Sequence, residues 1–166
     1  MKSIARITGL MLALSATIAF ADENPLIGTW KLKSYVIVAL ATGERANPFG
    51  EHPLGYLSYS PDGRMHAIIT ADNRVRPRGA LPEDEERVKL HQTMFAYAGT
   101  FTLDGEKVIH PVDISWNQLW NETDLVRSYK VNGSTLTITN PPSKNPKDGR
   151  EEQGVLVWEK VKASTQ

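Results

Sequence analysis

His110, Asp113, Arg127 and Tyr129 are the residues of this chain whose types and spacing bear most directly on chemistry. An imidazole moves protons near neutral pH, and Asp113, three residues further on, is a candidate partner in an acid–base pair. A guanidinium stabilises developing negative charge or, where nothing reacts, orients a carboxylate, phenolate or carbonyl oxygen. Two classes of function follow. In the first, Arg127 orients a bound molecule, His110 and Tyr129 are its hydrogen-bond partners, and Tyr59, Tyr97, Trp116 and Trp120 complete the ligand-binding set. In the second, His110, Arg127 and Asp113 are the catalytic groups of a cofactor-free isomerase, lyase, cyclase or hydrolase acting on an apolar epoxide, ester or terpenoid. The binding class is preferred, because no nucleophile–base motif accompanies the catalytic one. Other chemistries lack their residues. The chain has no cysteine, its four histidines have no metal-ligand spacing, and no phosphate loop, serine elbow or zincin motif occurs. Neither a metal nor a cofactor is expected.

These residues make a site only if they share a face. A two-residue Asn132-Gly133 loop would pair Val131 with Ser134, Tyr129 with Leu136 and Arg127 with Ile138. Cross-strand partners lie on one face, and Leu136 and Ile138 are the only apolar residues of their strand, so that face is the interior. Arg127 and Tyr129 then point inward beside Leu125 and Val131, with Asp124, Ser128, Lys130, Thr135, Thr137 and Thr139 in solvent. By the same parity His110 points inward with Val108 and Val112, and His66 points outward from the Met65-Ala67-Ile69 face. A buried arginine is costly unless paired. Arg127 therefore either lines a cavity or closes a barrel end against Asp113 or Glu122. His110 is either a polar group of that cavity or a core histidine bonded to a carbonyl. Trp116 and Trp120 form a lip or a cover, and the three tyrosines are site groups or core aromatics.

The elements that must position them read mostly in steps of two. A first strand spans about Thr29 to Leu40, with Trp30, Leu32, Val36 and Val38 on one face and Lys31, Lys33 and Tyr35 on the other. Gly55–Tyr59 and Arg64–Thr70 flank a Ser60-Pro61-Asp62-Gly63 turn. One helix is expected over about residues 82–98: Pro82 at its start, Glu83 to Glu86 at the positive end of its dipole, Leu90, Met94 and Tyr97 on one face, Gly99 at its close. Strands resume at Thr100–Leu103, Lys107–Val112, Asp124–Val131, Thr135–Thr139 and Gln153–Lys160. Long loops cover Ala41 to Leu54 and Pro141 to Arg150. Eight or nine short strands with one helix predict an all-β fold, an antiparallel β-barrel, with a two-sheet sandwich as the alternative.

Residues 1–21 are expected to be a signal peptide: Lys2 and Arg6 precede an apolar run from Ile7 to Phe20, and Ala19-Phe20-Ala21 is a cleavage site. A cut after Ala21 would leave a single domain over residues 22–166, periplasmic or secreted. The whole chain balances 19 basic against 19 acidic residues, so losing Lys2 and Arg6 leaves acids in excess by two. No basic stripe supports a nucleic-acid partner. No integral membrane contact and no obligate protein partner are expected, which leaves a small apolar molecule as the partner.

With these residues in view, the sequence from about Leu26 to Val161 resembles the lipocalin-like domain family of bacterial and fungal proteins. Leu26-Ile27-Gly28-Thr29-Trp30 resembles the opening Gly-x-Trp strand, and Gly55-Tyr56-Leu57-Ser58-Tyr59-Ser60-Pro61-Asp62-Gly63 the second-hairpin signature. Tyr97-Ala98-Gly99-Thr100-Phe101, His110-Pro111-Val112-Asp113-Ile114-Ser115, Trp120, Arg127 and Leu156-Val157-Trp158-Glu159-Lys160 also fit. The resemblance implies a barrel and a ligand cavity but no shared reaction. In wider lipocalins a basic residue near the last strand covers the first-strand tryptophan. Here Lys160 or Lys162 would serve, unless Trp158 fills that space.

Overall fold

The computed structural model describes residues 24–162, so the expected signal peptide and its cut after Ala21 lie outside the described residues. In chain order the elements are β1 (Gly28–Ala39), β2 (Arg45–Ala46), β3 (Leu54–Tyr59), β4 (Arg64–Thr70), α1 (Asp84–Gln92), β5 (Met94–Thr100), β6 (Thr102–Asp104), β7 (Lys107–Ser115), a 3-10 turn (Gln118–Trp120), β8 (Asp124–Asn132), β9 (Thr135–Thr139), β10 (Ser143–Lys144) and β11 (Glu151–Lys160). Strands β1, β3, β4, β5, β7, β8, β9 and β11 each pair antiparallel with the next, and β11 returns to β1. This is a closed eight-stranded barrel, not a sandwich. Closure satisfies every strand edge; the short β2, β6 and β10 attach to β1, β7 and β11.

Alternation decides which side chains fill it. In β4, Met65, Ala67 and Ile69 are buried while Arg64, His66 and Ile68 are exposed, and β9 buries only Leu136 and Ile138. One end is solid. Leu26, Trp30, Leu57, Tyr59, Met65, Phe101, Val108, Leu136 and Trp158 are all buried in one cluster. The Trp30 indole Nε1 donates to the Leu26 carbonyl at 2.8 Å. Lys160 stands opposite Trp30 in the β1–β11 pair and lays its Nζ 5.2 Å from the Trp30 ring centroid, so Lys160 makes the cation–π cover while Trp158 packs inside. Gly28 permits this, because its φ of +126° suits glycine and a Cβ there would meet Lys160 Cε at 3.1 Å.

Three sequence expectations are corrected. The helix over 82–98 stops at Gln92, and Met94–Thr100 is strand β5. No residue of α1 is buried, so packing does not extend it. Met94 to Thr100 instead pair rung for rung with Thr70 to Arg64, which completes the barrel wall. Glu83 is the N-cap, in a capping box with Glu86, so Pro82 precedes the helix and does not start it. In the β8–β9 hairpin the loop is Gly133-Ser134, with Val131 opposite Leu136 and Tyr129 opposite Ile138. The partners differ from those expected by two residues, an even shift that keeps the same side chains inside. In β1 the register shifts between Leu32 and Ser34. Lys33 is the extra residue of a bulge, and past it the parity reverses: Tyr35, expected among the lysines, lies opposite Leu156 and faces the interior.

Candidate functional site

Above the solid end the barrel opens into a cavity of about 350 Å³. Its walls come from most strands: Tyr35 from β1, Leu57 from β3, Ala67 and Ile69 from β4, Met94, Phe95 and Tyr97 from β5, Arg127 from β8, Ile138 from β9, Leu156 and Trp158 from β11. Rings dominate the mouth. Phe49 stands 5.5 Å from Tyr35 and 5.6 Å from Phe95, and Trp120 stands 6.0 Å from Phe95, 5.8 Å from Tyr97 and 5.0 Å from Trp116. These edge-on and tilted spacings are those of attractive aromatic pairs. Trp116 is tied to the helix: its Nε1 donates to the His91 carbonyl at 3.1 Å and its ring stacks on His91 at 5.5 Å. Phe49 is held over the mouth by the Asp72 N–H, which donates to its carbonyl at 3.1 Å.

Arg127 carries the only formal charge on this wall. Its guanidinium carbon lies 5.8 Å from the Tyr97 ring centroid, and no acidic side chain among the described residues pairs with it. Its positive charge also pulls down on the Tyr35, Tyr59 and Tyr97 phenols, but burial outweighs it and raises all three above the ordinary tyrosine value. Each phenol stays protonated. Two other polar groups on the wall have no hydrogen-bond partner among the described residues: the indole Nε1 of Trp158 and the amide Oδ1 of Asn140. Gly154 makes room for this corner, since a Cβ there would sit 2.7 Å from Asn140 Nδ2 and 3.2 Å from Tyr35 Cε2.

His110 is fully buried and is not part of the cavity wall. Its Nε2 is 2.9 Å from the Tyr59 hydroxyl and its Nδ1 is 3.1 Å from the Tyr97 hydroxyl. Burial, reinforced by the positive charge of Arg127, pushes its pKa down to about 3. The ring is therefore neutral and carries one proton. Each of the two phenols has His110 as its sole hydroxyl partner among the described residues, so the ring N–H donates to one and the other donates to the bare ring nitrogen. His110 thus holds Tyr97 in place from beneath the cavity floor.

The structure brings Tyr97, Trp116, Trp120 and Arg127 together on the wall and puts His110 with Tyr59 directly behind Tyr97. It separates two others. Tyr129 faces inward and packs against the core cluster but is not part of the cavity wall. Asp113 does not approach His110. Ala98 pairs with Ile114 and Gly99 with Val112, which makes Asp113 the extra residue of a second bulge. It points outward and accepts from Arg64 Nη1 at 2.7 Å. Neither Asp113 nor Glu122 pairs with Arg127. The expected His110–Asp113 acid–base pair is thus not formed, because the two side chains leave opposite faces of β7. Sequence reading missed Tyr35, Phe49, Phe95, Asn140 and Trp158 as wall residues. Phe49 and Asn140 sit in loops without periodicity, Tyr35 is hidden by the bulge, and Phe95 by the misread helix.

Among the described residues, no group of histidine, aspartate and glutamate side chains is placed to hold a metal, and no helix is long and apolar enough to cross a membrane. A family model described as a lipocalin-like domain matches residues 27–161. None of the curated proteins compared matches the chain. Of solved structures, a lipocalin-like protein from Bacteroides uniformis is similar, with 13% identity and a TM-score of 0.43 over 83% of this chain and 100% of that one.

Proposed function

The chain belongs to the lipocalin-like domain family, and from that premise we propose that it is an exported binding protein for a small, mostly apolar molecule, held in the barrel cavity by Arg127 and Tyr97 with His110 behind them. The observation that carries this reading is a single one: an aromatic-walled cavity of about 350 Å³ whose wall holds a guanidinium without a carboxylate partner. A cation placed in an apolar enclosure costs stability, so its retention there favours a use. Apolar burial at about 25 cal/mol per Å² gives a ligand that hides roughly 250 Å² some 6 kcal/mol. Association costs on the order of 4–15 kcal/mol, so apolar walls alone about break even and a polar anchor decides whether binding is useful. The basic and apolar run over residues 1–21, ending at Ala21, supports action in the periplasm or outside the cell.

The test is thermal unfolding of the chain from residue 22 onward against fatty acids, terpenoids and aromatic acids. At least one compound is expected to raise the midpoint by several degrees in a saturable way. Arg127→Ala should abolish most of that rise while leaving the ligand-free midpoint nearly unchanged. A panel without any saturable shift would sink the reading.

A further inference from the structure

Resting on the binding reading above, we propose that the ligand is an organic carboxylate with a ring-shaped apolar body, its carboxylate seated on the Arg127 guanidinium. Two independent features of the wall point to an anion. Arg127 is its only formal charge and has no acidic partner among the described residues. Trp158, 2% exposed, carries a buried indole N–H with no acceptor there. An indole nitrogen can only donate, so what completes it must bring an acceptor oxygen. A guanidinium also only donates, and a planar carboxylate matches its fork with two parallel bonds. Tyr35, its phenol kept protonated by burial, is a third donor on the wall.

Glu152 is close enough for its charge to be felt at Tyr35. It is already held by Asn145, whose Nδ2 donates to its Oε2 at 2.9 Å, and it leaves the seat unneutralised. One guanidinium matches one negative charge. A phosphate monoester would carry a second charge with no cation on the wall to meet it, and a simple phenol stays neutral near pH 7 and makes less of the arginine. The body of the ligand follows from the walls: Tyr35, Phe49, Phe95, Tyr97 and Trp120 present ring faces and edges at 5.5–6.3 Å spacing, which suits a rigid ring system better than a flexible chain.

Isothermal titration of the chain from residue 22 onward with 2-naphthylacetic acid, its primary amide and decanoic acid separates the possibilities. The acid is expected to bind about tenfold or more tightly than the amide, the loss of a charged hydrogen-bonded pair, and more tightly than decanoic acid. Arg127→Met should reduce the acid to the affinity of the amide without weakening the amide itself. If acid and amide bind alike, or the preference survives Arg127→Met, the carboxylate seat is wrong while the binding reading stands. If decanoic acid binds best, the ring-shaped body is wrong. If none of the three binds, the carboxylate seat and the ring-shaped body are both wrong, and the thermal-shift panel decides the binding reading.

Discussion

At the scale of the residue, His110 shows how a group chosen for its chemistry can serve through its neutrality. Its two ring nitrogens are occupied by Tyr59 and Tyr97, and a proton added to it would bury a charge beside Arg127. The folded chain therefore holds His110 down at about 3, against about 6.5 for an unfolded histidine. Between those two values the unfolded chain binds a proton that the folded chain refuses. Stability from this residue is complete above pH 6.5 and falls as the pH drops toward 3, by up to roughly 1.4 kcal/mol per pH unit. Urea unfolding of the wild type should accordingly weaken between pH 7.5 and pH 4.5 by more than that of His110→Gln, which has nothing to titrate there. All other titrating side chains are common to the two proteins. Equal losses in the two would mean that the buried imidazole is not the titrating group. The inward direction of His110 and Arg127 was legible from their apolar neighbours two residues away. That Tyr59 and Tyr97 would cap both ring nitrogens was not, because the contact joins three strands that no sequence spacing relates.

At the scale of the element, period-two alternation gave the strands away wherever it ran unbroken, as in β4, β8 and β9, and misled wherever one residue was inserted. Lys33 and Asp113 are such insertions. The first hid Tyr35 from a parity argument, and the second turns Ile114, which alternation from Val112 would place inside, to the outside. A bulge is a property of the partner strand as much as of its own, so a single strand's pattern does not disclose it. The helix failed for a related reason: Met94, Phe95, Tyr97 and Ala98 fit a helical stripe as well as a strand, and only the unpaired edge of β4 decides between them. Gly99 is where β5 and the second bulge meet. A Cβ there would lie 1.9 Å from the Pro111 carbonyl oxygen, which is backbone and cannot step aside. Gly99→Ala should therefore destabilise the barrel by about 2–3 kcal/mol, the upper range for overpacking, in urea unfolding. Gly154→Ala meets the Asn140 amide and the Tyr35 ring, which are side chains able to shift, and should cost less. The reverse order would show that the β5–β7 bulge is not the tight junction of the wall.

At the scale of the whole molecule, the barrel divides along its axis into an end that holds it together and an end that receives. The solid end gathers Leu26, Trp30, Met65, Phe101, Val108 and Leu136 at 0–8% exposure. The open end is ringed by Phe49, Phe95, Trp116 and Trp120, all only partly buried. Leu136 is fully buried and outside the cavity wall, so Leu136→Ala should remove about 2–5 kcal/mol of stability while leaving the affinity for 2-naphthylacetic acid within about twofold. Trp120 covers the mouth and touches Phe95, Tyr97 and Trp116. Trp120→Ala takes away a wall of the cavity without opening the core, so it should lower affinity by about tenfold or more, as hot-spot aromatics do, and change stability by roughly 1 kcal/mol or less. The two variants measured together form a crossed test: one loses folding and keeps binding, the other the converse. A barrel in which both quantities fell in both variants would be one cooperative core reaching to the mouth, with no receiving end distinct from the rest. The closed eight-strand sheet argues against that, since its wall is held by backbone pairing all the way round, β1 to β11 included, and does not depend on the mouth side chains to stay shut.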